Sequence, residues 1–201
     1  MPVEYTQKHG GCAIVCGSAP SLHEDLAKAK ELRPGAMIVG ANNTAELVPE
    51  IEHIWTLHNE GVHHLKQRVG RKIYVHTRPR KYSNGGGLWL IPAPQESWDA
   101  VDYVWRSLHW LTGSSGASAA LWAKHGMGFD EVIMVGIQLS SDSQHYVSGY
   151  IDPKKKEQDY FADQNSIEHW QACMISHKEQ GKYEGIYAMS GFPAGLLGMP
   201  N

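Results

Sequence analysis

The chain has 201 residues, enough for one domain of ordinary size to bury a core, with 42% hydrophobic and 19% charged positions. Its formal net charge of −3 gives no general electrostatic case for a nucleic-acid partner, and no apolar run approaches the roughly 20 residues of a spanning helix. Residues 1–11 are polar rather than an apolar leader core, and the three cysteines, Cys12, Cys16 and Cys173, are odd in number, so the expected setting is reducing and cytoplasmic, with no membrane partner.

Residues 12–17 (CAIVCG) are a short apolar run ending in glycine, and Ser21 with Glu24 has the spacing of a capping box. This predicts a strand, a turn over 17–21 and a helix over 21–33 that places Leu22, Leu26, Ala29 and Leu32 on one face, stopped by Pro34 and Gly35. A strand over 36–40, a short helix near 44–50, a strand over 53–57, a helix over 61–69 and a strand over 72–77 follow. Residues 78–97 break the rhythm with Arg78, Arg80, Lys81, a glycine triplet and two prolines, and read as a long loop and candidate lid. Beyond it the pattern predicts an aromatic-rich helix over 98–110, a small-residue helix opening at 113 and running to Lys124, and a buried strand over 131–137 (EVIMVGI). A polar segment over 138–165, a helix over 166–179, a strand over 185–189 and a glycine-rich tail complete the chain.

Strands alternating with helices predict a Rossmann-like three-layer α/β sandwich with a mostly parallel sheet. The expectation is a single nucleotide-binding domain over 1–201, with its core over 12–139 and a helix–strand extension over 140–201. Sheets of this kind take ligands at the carboxyl ends of their strands, and two glycine-serine turns fall there. The first offers Gly17, Ser18, Ala19 and Ser21, the second Thr112, Gly113, Ser114, Ser115 and Gly116, each at a helix N-terminus whose amides and dipole attract phosphate. Asn42 and Asn43 follow the second strand with amides that donate and accept, or else cap the next helix. Neither turn has the spacing G-x-G-x-x-G or a P-loop lysine, so the turns read neither as a dinucleotide dehydrogenase nor as a P-loop kinase.

His145, in the polar loop after the last core strand, and His58, at the end of the third strand, are the candidate general bases, followed by His169. His58, Glu60, His63 and His64 match no established zinc spacing, so no metal is assigned. Arg78, Arg80 and Lys81 meet phosphate if their loop closes as a lid, and form a solvated basic run if it does not. The tryptophans at 98, 105, 110, 122 and 170 read as helix–sheet packing.

The blocks VCGSAPSL (15–22), GANN (40–43), TGSSG (112–116) and VGIQ (135–138), in that order, resemble the signature of a superfamily. It contains the bacterial sialyltransferases that use CMP-sugars and the 6-hydroxymethylpterin diphosphokinase-like proteins, with many phage-type members. The resemblance implies that Gly17, Ser18, Asn42, Ser114, Ser115 and Gly116 contact a nucleotide. Gln138, counted with the nucleotide-binding candidates, stands where the family strand usually ends in aspartate, and His58 where the diphosphokinase-like proteins often carry one. Magnesium prefers oxygen ligands. The implied function is therefore a CMP-sugar-like glycosyltransferase with a histidine base, no obligatory metal or cofactor, and a nucleotide or nucleotide-sugar as its small-molecule ligand. A Mg-ATP diphosphokinase and a non-catalytic, nucleotide-sequestering protein are the alternatives, and homo-oligomerisation stays open.

Overall fold

Five-residue apolar runs without polar alternation suit a sheet covered on both faces. The computed structural model describes residues 2–58, 62–78, 98–105, 114–140 and 164–201. The strands are β1 (Val3–Glu4), β2 (Cys12–Cys16), β3 (Met37–Ala41), β4 (His53–Trp55), β5 (Tyr74–Thr77), β6 (Tyr103–Val104), β7 (Glu131–Val135) and β8 (Ile186–Ala188). They form one sheet of order β1-β6-β5-β4-β3-β2-β7-β8, and every pairing is parallel.

The helices are α1 (Leu22–Leu32), α2 (Val62–Val69), α3 (Ser115–Leu121), which runs on into a π-helical turn (Trp122–Met127), α4 (Gln164–Glu179) and α5 (Gly191–Leu197). Strand alternation divides the core between the two faces. Ile14, Cys16, Ile133 and Val135 pack with Leu22, Leu26 and Ala29 of α1 and Leu65 of α2. Ala13, Val15, Val132 and Met134 pack with Ala117, Ala120 and Leu121 of α3 and Met174 of α4. The expected three-layer α/β sandwich is therefore present, with helices on both faces.

Several local expectations change. Within the helix expected over 98–110, Tyr103 and Val104 are β6, pairing with His76 and Thr77. The Asp102 carboxylate receives the Val75 amide at 2.7 Å, so this segment satisfies its polar groups by long-range pairing. The helix near 44–50 is a 3₁₀ turn over Asn42–Glu46, β4 ends at Trp55, and β7 ends at Val135 because Gly136 turns left-handed at φ +61°. Strand β1 and helix α5 lie where none was expected.

The capping box does not form. The Ser21 hydroxyl donates to Asp25 at 2.8 Å rather than capping α1, while exposed Glu24 pairs with Lys28. Asp25 is buried, and the same oxygen also accepts from the Ser190 hydroxyl at 2.6 Å and the Gly136 amide at 3.2 Å. One carboxylate thus ties together the ends of β7, β8 and the start of α1.

Candidate functional site

At the carboxyl edge of the sheet the Gly17 amide donates to the Val135 carbonyl at 2.8 Å and the Ala19 amide to the Gly136 carbonyl at 3.0 Å. Two of the amides expected to face phosphate therefore strap the first turn to β7. A Cβ on Gly17 would lie 2.4 Å from the Gly136 carbonyl oxygen and 2.5 Å from Ile137 Cγ1, and one on Gly116 would lie 3.1 Å from Ile137. Ile137, 6% exposed, is wedged between the two turns. Glycine at both positions makes room for that side chain.

Around the wedge opens a cleft of about 710 Å³, the open solvent at its mouth included. The first turn contributes Gly17, Ser18 and Ala19, the end of β3 contributes Ala41 and Asn42, and the start of α3 contributes Ser114, Ser115 and Gly116. The segment after β7 adds residues 136–140, the segment after β4 adds exposed His58, and α4 adds Ile167 and Trp170. These lining residues include no Asp, Glu, Lys or Arg.

Asn42 adopts φ +52° and Leu139 φ +49°, the non-glycine residues with positive φ among those described. Both line the cleft. The Thr56 hydroxyl donates to Asn42 Oδ1 at 2.9 Å while accepting the His58 amide at 2.9 Å. That arrangement assigns the oxygen of the Asn42 amide to Thr56 and leaves its nitrogen as the donor. The Leu139 carbonyl receives the Gln171 side chain from α4 at 2.8 Å.

At the start of α3 the Ser114 hydroxyl accepts the Ala117 amide at 3.3 Å, the N-cap contact its residue type favours. The neighbouring Ser115 hydroxyl is buried with no hydrogen-bond partner. The Ser115 and Gly116 amides occupy the first turn, where a helix has no acceptor of its own to offer.

The structure thus brings Gly17, Ser18, Ala19, Asn42, Ser114, Ser115, Gly116, Gln138 and His58 together. It does not bring Ser21, engaged by Asp25 and Ser190, or Asn43, half-buried in the 3₁₀ turn and away from the lining. His169 lies 3.6 Å from Cys173 Sγ on α4, away from the lining. Thr112, Gly113, His145, Glu60, Arg80, Lys81, Trp110 and the candidate lid beyond Arg78 lie outside the described residues. Ala41, Gly136, Ile137, Leu139, Ser140, Ile167 and Trp170 also line the cleft and were not among the candidates; the three-residue spacing of Ile167 and Trp170 on one helix face was an available signal.

A second cluster sits apart from the cleft. The Trp105 indole donates to His76 Nδ1 at 3.2 Å, which puts the His76 proton on Nε2, facing His53 Nδ1 at 2.9 Å. Tyr5 packs on His76 with ring centres 5.0 Å apart, and its hydroxyl meets His9 Nε2 at 2.6 Å. Burial lowers the pKa of His9, His53 and His76, and the neighbouring imidazoles lower the last two further.

Among the described residues no group of three His, Cys, Asp or Glu side chains is arranged to hold a metal ion, and no helix is long and apolar enough to cross a membrane. All three cysteines are free thiols.

No family model matches the chain, and no curated protein does. Two solved structures are similar. A variant of the sialyltransferase CST-II in complex with CMP matches with TM-score 0.57 and 12% identity over 94% of this chain and 86% of that one. The MAf glycosyltransferase from Magnetospirillum magneticum AMB-1 matches with TM-score 0.54 and 12% identity over 94% of this chain. This chain spans 33% of the length of that protein. At such identity the likeness is one of fold, an α/β fold shared with glycosyltransferases.

Proposed function

We propose that this chain is a glycosyltransferase that takes a nucleotide-linked, CMP-sugar-like donor in the carboxyl-edge cleft. The Ser115 hydroxyl carries the reading: it is buried and unpartnered in the wall of a cleft at the edge where open α/β sheets take ligands. Leaving such a group unsatisfied costs about 1–3 kcal/mol, a cost that a ligand acceptor atom removes. The Asn42 amide supports it, since its oxygen is held by Thr56 and its N–H groups are left to donate. With no charged side chain in the described lining, the donor phosphate is held by neutral donors, the Ser115 hydroxyl and the first-turn amides of α3. The choice of a CMP-sugar follows the family resemblance and the CMP bound to the sialyltransferase of like fold.

In the reaction, the acceptor hydroxyl oxygen bonds to the anomeric carbon of the donor sugar. The bond from that carbon to the phosphate oxygen breaks, and its electron pair leaves with the nucleoside monophosphate. The acceptor proton passes to a histidine. His58, exposed in the lining, is the described candidate, and His145 keeps its place from the sequence. None of these steps requires a metal.

Calorimetric titration with CMP and a panel of other nucleotides tests the reading. The wild type is expected to bind, with Asn42→Ala and Ser115→Ala each weakening affinity by about tenfold. His58→Asn is expected to keep donor affinity and lose about 10²–10⁴ in turnover. Absence of binding across the panel refutes the reading, and binding without transfer from any donor that binds leaves a nucleotide-sequestering protein.

A further inference from the structure

Arg78 follows β5 by one residue, at the same sheet edge as the cleft and one strand beyond His58. The parallel register that pairs Trp55 with His76 and Val104 with Thr77 carries Arg78 level with Leu57 on one side and Trp105 on the other. Strand alternation returns it to the face of His76, the face packed by Trp122 and α3. It is half-buried rather than solvated, and its Nε is closed off from water with no hydrogen-bond partner. Burial also lowers the pKa of the guanidinium.

The other described arginines are engaged. Arg33 meets Glu131 at 2.6 Å, Arg68 meets Glu46 at 2.7 Å, and Arg71 donates to the Ile51 carbonyl at 2.6 Å. A half-buried guanidinium whose Nε is shut off from water without an acceptor is costly to the free protein, and its planar fork matches the oxygens of phosphate and carboxylate. Among the described residues, the lining of the neighbouring cleft includes no Lys or Arg.

We propose that Arg78 forms an oxyanion subsite one strand beyond the cleft, binding the phosphate of the donor or a carboxylate carried by the sugar or acceptor. The proposal rests on the cleft reading for the identity of the ligand, whereas the buried, unpartnered Nε of Arg78 is independent of it.

The test compares the wild-type, Arg78→Met and Arg78→Lys chains by thermal melting and calorimetry at constant ionic strength. The probes are inorganic phosphate, pyrophosphate, CMP, cytidine and glucuronate. Without any of them, Arg78→Met is expected to melt at or above the wild type, because a desolvated charge has gone. Phosphate or pyrophosphate should raise the melting temperature of the wild type, less that of Arg78→Lys, and not that of Arg78→Met. If the donor phosphate is the occupant, Arg78→Met weakens CMP by about 10- to 100-fold and leaves cytidine unchanged. If a carboxylate is the occupant, CMP is unchanged and glucuronate binding is lost. A clearly lower melting temperature of ligand-free Arg78→Met, or equal responses of wild type and Arg78→Met to every anion, overturns the subsite. CMP bound equally by both chains with no anion response removes Arg78 and leaves the cleft reading standing. An anion response lost in Arg78→Met, with no nucleotide bound by either chain, removes the cleft reading and leaves the subsite.

Discussion

Gly17→Ala separates two reasons for a glycine at the end of β2, room for a ligand and room for the protein itself. The added Cβ would lie 2.4 Å from the Gly136 carbonyl oxygen and 2.5 Å from Ile137 Cγ1, where ordinary contact begins near 3.4 Å. The ends of β2 and β7 would have to separate by about 1 Å. Neither neighbour yields easily: the Gly136 carbonyl accepts the Ala19 amide, the Gly136 amide donates to Asp25, and Ile137, buried at 6% exposure, is wedged between the two turns. Overpacking of this kind costs about 1–3 kcal/mol, and weakening the two straps from Gly17 and Ala19 adds up to about 1 kcal/mol each. The expected loss is about 2–4 kcal/mol, read from urea unfolding followed by circular dichroism. Gly116→Ala, whose nearest contacts are flexible Ile137 carbons at 3.1 Å, should cost about 1 kcal/mol or less. Its cost should vanish in an Ile137→Ala background, whereas that of Gly17→Ala should only diminish, since the Gly136 oxygen remains. A Gly17→Ala chain within about 0.5 kcal/mol of the wild type would refute the packing argument and return this glycine to the ligand.

Stability should fall on acidification. His9, His53 and His76 have lowered pKa values in the folded chain, so the unfolded chain binds more protons; stability is complete above about pH 6.5 and is lost as pH drops through the lowered values. Protonating His76 would also set a new N–H against the Trp105 indole N–H; equal urea midpoints at pH 5 and pH 8 would contradict this. Asp25→Ala strands the Ser21, Ser190 and Gly136 donors and should cost about 3 kcal/mol or more, Ser190→Ala about 1 kcal/mol; a loss below about 1 kcal/mol for Asp25→Ala would show that the three-way tie carries little.

The sheet was legible where burial leaves a mark on neighbouring residues. The unalternating runs at 12–16 and 131–135 announce two central parallel strands, and the spacing of Leu22, Leu26 and Ala29 announces α1. Strand β6 was not legible, since two residues pair with a partner far away in sequence and a short apolar run carries no period to separate strand from helix. Both glycine-serine turns fall at the carboxyl edge, but the reason for their glycines was hidden, because Ile137 supplies it from the segment after β7. Ser21 illustrates the same limit: its type and spacing fit a cap, and only the arrival of Ser190 and Gly136 around Asp25 turns it inward. Arg78 sits in a run that the sequence leaves open between a phosphate contact under a closed lid and a solvated basic stretch, and its half-burial at the end of a strand paired on both sides leaves no local mark.

The two left-handed residues of the cleft bear on how such a site could work. A non-glycine residue in that region is strained and persists where its surroundings fix it. Asn42 is fixed from the sheet through Thr56, itself tied to β5 by the Thr77 hydroxyl donating to the Thr56 carbonyl at 2.8 Å. Leu139 is fixed from the opposite side, by the Gln171 amide of α4 and by packing against the core. Glycine would relieve the backbone at either place, yet each side chain has a task glycine lacks: Asn42 presents an amide donor with its oxygen already occupied, and Leu139 anchors the segment that carries Gln138 and Ser140 into the lining. Both residues are therefore held by the protein's own contacts. If the proposed donor binds here, such pre-organised neutral donors would lose little ordering entropy on binding and would stabilise the charge that develops on its departing phosphate.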